Sequence, residues 1–96
     1  MGLGDLGPIP LLQHHELSVP RYFFNVYDDV GARDEEGVEL PDEAAARLQA
    51  LVGARDLMAA QVKRGYLARS HWIEVLDDHG EAHFTLTFGE AVNMDV

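Results

Sequence analysis

The sequence predicts an α+β domain, a two-layer sandwich of order ββαββ with one helix across one face of a four-stranded, mainly antiparallel sheet. Three observations point there. Residues 21–28 (RYFFNVYD) are aromatic or β-branched in both alternating sets, the composition of a strand central in its sheet. Residues 42–65 open on an acid suited to capping, repeat apolar residues at helical spacing and close on a glycine. Residues 71–77 and 83–88 alternate in polarity on either side of Asp78-His79-Gly80, a turn sequence.

Taken in order, residues 1–19 hold Gly2, Gly4, Gly7, Pro8 and Pro10 without a helical or strand period. They read as a flexible extension to a single domain over 20–96, with Leu11–Leu12 and Leu17–Val19 as local docking points. The adjacent pair His14–His15 would point its side chains apart on an extended segment, which argues against a metal site. Arg21–Asp28 is the first strand, with Tyr22, Phe24 and Val26 on one face and Phe23, Asn25 and Tyr27 on the other. Gly31 and Gly37 bracket an acidic loop, and Val38–Leu40 forms a short hairpin partner.

Asp42 caps the helix that follows, because its carboxylate can accept the unpaired amide hydrogens of the first turn, and Glu43 complements the dipole there. Ala44, Leu48, Leu51, Val52, Met58, Ala59 and Val62 form one apolar stripe, interrupted by Arg55, which predicts that the helix docks through Leu48, Leu51 and Val52. Lys63 and Arg64 lie in the last turn and Gly65 stands at C′. Gly53 costs the helix about 1 kcal/mol relative to Ala and suggests close packing on the sheet. His71–Asp77 and His83–Phe88 complete the sheet, and Glu90–Met94 is a short tail.

The runs RYFFNV at 21–26, DEEGVELPD at 34–42, the alanine-rich helix and IEVLDDHGEAHFTLTF at 73–88 resemble domain of unknown function 6894, a family of small bacterial proteins frequent in alphaproteobacteria. The resemblance covers about residues 20–92. It supports the element boundaries and implies no activity, cofactor or catalytic residue.

Composition narrows the chemistry. The 96 residues carry a net charge of −10 and no cysteine, which removes disulfides, thiolate metal sites and a cysteine nucleophile and suits a cytoplasmic protein. So acidic a chain repels phosphate, so no nucleic-acid partner is expected, and no apolar run is long enough to span a membrane. From Asp28 to Glu43 the acids Asp28, Asp29, Asp34, Glu35, Glu36, Glu39, Asp42 and Glu43 face one base, Arg33. That loop lacks the alternating ligands of a calcium-binding EF-hand and reads first as a solvated turn. His71, His79 and His83 around the last hairpin match no zinc spacing. Neither Ser18 nor Ser70 lies in a nucleophile motif, so no enzyme activity, metal or cofactor is expected.

The sheet face away from the helix is the more informative surface. Alternation puts Phe23, Tyr27, Trp72, Leu76, His83, Thr85 and Thr87 on it, a large aromatic patch for a two-layer domain. The expectation is a small interaction or regulatory module acting through that face or an edge strand, as a homodimer or with another protein, with Phe23, Tyr27, Trp72, Leu76 and His83 at the interface. The alternatives are that the N-terminal extension or the C-terminal tail folds over this face, or that the chain is a ligand- or metal-binding domain using the acidic loop (residues 28–43) or the hairpin histidines.

Overall fold

The computed structural model describes residues 19–92, so all but the last residue of the expected extension lies outside the described residues. Strands β1 (Arg21–Tyr27) and β2 (Val38–Glu39) precede helix α1 (Glu43–Lys63); β3 (Trp72–Asp77), β4 (Ala82–Thr87) and a 3₁₀ turn (Gly89–Ala91) follow. The sheet order is β2-β1-β3-β4 with every pairing antiparallel, so β1 is central, as its two apolar faces predict. The architecture is the α+β, ββαββ sandwich read from the sequence.

The helix ends follow from local chemistry. Asp42 Oδ1 accepts the Ala45 amide hydrogen at 2.9 Å. At the other end Tyr66 N–H donates to Gln61 C=O at 3.1 Å and Gly65 N–H to Val62 C=O at 2.9 Å, a Schellman pair that needs Gly65 at φ +93°.

The buried face of α1 differs from the one expected. Ala46, Ala50, Ala54, Met58 and Gln61 face the sheet, whereas Leu48, Val52 and Val62 stay 60, 50 and 59% exposed. Only Leu51 and Met58 of the expected stripe reach the core. Alanines four residues apart make a flat strip on which the larger side chains of the sheet (Tyr22, Ile73, Val75, Leu86 and Phe88) can lie. The sheet supplies the bulk of the core, and the helix supplies a smooth surface. Gly53 is not forced by contact: a Cβ there would meet Ile73 Cδ1 at 3.8 Å, an ordinary separation.

The helix packs chiefly on β3 and β4. On the β1 side it leaves a cleft of about 360 Å³ lined by Phe24, Val26, Val38, Gly53, Leu57 and Ile73. The loop after α1 is tied by buried Gln61, whose Oε1 accepts the Ala68 amide at 3.0 Å while its Nε2 lies 3.2 Å from His71 Nδ1. Thr87 and Glu90 close the C-terminal turn reciprocally: each amide donates to the other's side chain, at 2.8 and 3.1 Å. Among the described residues no helix is long and apolar enough to cross a membrane.

Candidate functional site

The β1–β3 register sets Phe23 opposite Leu76, Asn25 opposite Glu74 and Tyr27 opposite Trp72 on the face away from α1. Thr85 and Thr87 of β4 extend the last two of these rows. The face is therefore apolar at both ends with a polar row between. Tyr27 and Trp72 stack with ring centroids 4.9 Å apart and planes 6° from parallel, and each keeps 39% of its surface exposed. The Tyr27 hydroxyl donates to Glu74 Oε1 at 2.8 Å, and this bond to a carboxylate is the main reason that its pKa lies above the usual phenol value. Phe23 and Leu76 are half-buried.

His83 does not join these residues. Val75 pairs with Phe84 but Leu76 pairs with Ala82, so His83 is the extra residue of a β-bulge and turns to the helix side. Its Nδ1 lies 2.9 Å from Glu43 Oε1 at the helix start, its Nε2 3.2 Å from Asp77 Oδ2, and its ring meets Tyr22 edge-on at 5.6 Å. The two carboxylates raise the His83 pKa above its ordinary value. In turn Glu43 is lowered, first by its bond to His83, and Asp77 is lowered, first by the Glu81 amide. Strict alternation misses this because one inserted residue reverses the side-chain facing.

The same bulge guards one end of the free edge strand, β4. At the other end Glu90 accepts the Thr87 N–H, which points away from β3 because Phe88 N–H is the one bonded to His71 C=O. Strand addition at this edge is hindered at both ends.

The acidic loop has a structural use that the spacing reveals in retrospect. Asp28-Asp-Val-Gly31, Asp34-Glu-Glu-Gly37 and Asp77-Asp-His-Gly80 repeat one pattern, and all three glycines have positive φ, at 81, 73 and 82°. Asp28 Oδ1 accepts from Val30 N and Gly31 N; Asp34 Oδ1 accepts from Glu36 N and Gly37 N; Asp77 Oδ1 accepts from His79 N and Glu81 N. These are Asx turns. The Gly31 amide is the main cause of a lowered Asp28 pKa. Asp34 also continues the sheet: its Oδ2 accepts from Phe24 N at 3.1 Å and its N–H donates to Asn25 Oδ1 at 2.9 Å. Ala32 exchanges both backbone bonds with Val26, so the loop lies along the outer edge of β1.

The hairpin histidines are dispersed. His71 packs edge-on against Phe88 with its Nε2 3.6 Å from Asp29, His79 lies exposed beside Asp78, and His83 sits at the helix start. Among the described residues no group of three or more His, Asp or Glu is placed to hold a metal ion.

The loop along β1 leaves a cavity of about 360 Å³ lined by Asn25, Val26, Tyr27, Gly31, Ala32 and Arg33. No motif marks it in the sequence. The one signal there is Arg33, the lone base in the acidic run.

Compared with known proteins, residues 21–89 match the family model described as domain of unknown function (DUF6894). No curated protein and no solved structure matches the chain.

Proposed function

Because the chain belongs to this family of domains of unknown function, no relative lends it an activity, and we propose from the geometry that it is an interaction module. It docks through the open face of its sheet, and the occupant is a second copy of the chain. The observation that carries the reading is the Tyr27–Trp72 pair, two stacked rings left 39% exposed on a face that no helix covers among the described residues.

The row pattern favours self-association. Either in-plane two-fold axis through the middle row (Asn25, Glu74 and Thr85) lays apolar rows on apolar rows and polar on polar. The half-buried Phe23 and Leu76 add to one apolar end. We take the setting to be a bacterial cytoplasm, as the family resemblance and the cysteine-free composition imply.

Sedimentation velocity over a concentration series tests the reading. The unmodified protein should dimerise, and Tyr27→Ser with Trp72→Ser should give a folded monomer. A monomer at every concentration for the unmodified chain would overturn it. So would a dimer that survives those two changes and is lost instead with Leu48→Gln and Val52→Gln on the exposed flank of α1.

A further inference from the structure

We infer that the cavity between the end of β1 and the Gly31–Arg33 loop is a binding site for a planar carboxylate, an aromatic acid or the carboxyl end of a peptide carrying an aromatic ring. The inference does not rest on the dimer. Trp72 and the loop lie on opposite edges of β1, since Tyr27 pairs with Trp72 while Val26 bridges to Ala32. The Tyr27 ring is therefore backed on one face by Trp72, and the cavity it lines opens on its other side. A ring already held by stacking is a preorganised wall for a second flat group.

Two side chains with hydrogen-bond donors, Asn25 and Arg33, line the cavity. Asn25 is 8% exposed; its Oδ1 is occupied by the Asp34 amide, and its Nδ2 has no hydrogen-bond partner among the described residues. That bond to Asp34 fixes which end of the amide is oxygen. Arg33 likewise has no ion-pair partner among the described residues, and it lines the same cavity as Tyr27. Two of the loop carboxylates are bonded to backbone amides: Asp28 to Val30 and Gly31, and Asp34 to Phe24, Glu36 and Gly37. A buried amide N–H₂ beside a guanidinium and an aromatic wall selects an acceptor that is flat and negatively charged. Its size, about 360 Å³, is at the lower end of small-molecule sites.

Benzoate, benzamide and benzylammonium, titrated into the full chain and followed by ¹H–¹⁵N NMR, test this. Benzoate should bind saturably, shift the Asn25 side-chain amide and the Trp72 indole signals, and lose about tenfold in affinity in Arg33→Gln. Gly-Gly-Phe with a free or an amidated carboxyl separates the two sources. Tighter binding of the free-carboxyl peptide than of benzoate assigns a chain end, and the reverse assigns a free acid. Equal binding of benzamide, preference for benzylammonium, unchanged affinity in Arg33→Gln, or no saturable binding would each overturn the assignment. Asn25 and Tyr27 also belong to the face proposed for self-association, so each titration is run at a protein concentration where sedimentation shows a single species, which keeps failure here separable from failure of the self-association.

Discussion

At Gly37 the chain has no room for any other residue. Its φ is +73°, and a Cβ would stand 2.8 Å from Phe23 Cε2 and 2.9 Å from the Tyr22 carbonyl oxygen. Gly37→Ala is expected to lower stability by at least about 2 kcal/mol in urea unfolding. At Gly80 φ is equally positive but nothing lies within 4 Å, so only the conformational part of that cost applies. His83 sets a pH dependence whose sign follows from its partners. Its pKa is raised in the folded state, so its contribution is present below the ordinary 6.5 and fades as pH rises through the folded value. Glu43 and Asp77 are lowered, so theirs is present above 4.5 and 3.8 and fades as pH falls through the folded values. The clamp between helix start and hairpin is thus fully formed between 4.5 and 6.5. The melting-temperature gap between the unmodified protein and His83→Gln should be widest near about pH 5.5 and shrink by about pH 8.5. A gap independent of pH would mean that His83 acts by packing on Tyr22 alone.

The helix shows how an element can be legible in existence and illegible in orientation. Its caps are written locally, in Asp42 and Gly65, and both act where the sequence puts them. Its docking face is not, because a hydrophobic stripe weights Leu48, Val52 and Val62 above three alanines. The choice is made by the partner surface: β3 and β4 present Ile73, Val75, Leu86 and the following Phe88, which fill the layer and accept only a flat helix face. Ala54→Leu should therefore cost about 1–3 kcal/mol through overpacking. Leu48→Ala should change stability by no more than about 0.5 kcal/mol. Thermal and urea unfolding of the two variants measure this, and a larger loss at Leu48 would restore the face read from the stripe.

At the scale of the molecule, the one helix among the described residues lies on one side of the four-stranded sheet, and no described helix lies on the other. A chain with a charge of −10 repels its own copy, so association through the Tyr27–Trp72 face should tighten as salt rises from about 0.05 M to about 0.5 M. Sedimentation at the two salt concentrations checks this. A dimer held by ion pairs would instead weaken, which would point away from the aromatic rows.

Read from the chain alone, the element order, the turns and the central place of β1 are determined, because each rests on local rules: alternation, capping and glycine at positive φ. The repeated Asp-x-x-Gly turns were there to be read as well, since an aspartate side chain can reach the amides two to four residues on. What only the tertiary structure decided depends on neighbours far along the chain. A single inserted residue at His83 turned it from the open face to the helix start. The bulk of the sheet chose the alanine strip over the leucine stripe. The cavity at Asn25, Tyr27 and Arg33 exists because a loop folds back along the edge of β1, and no local pattern encodes the space left between two segments.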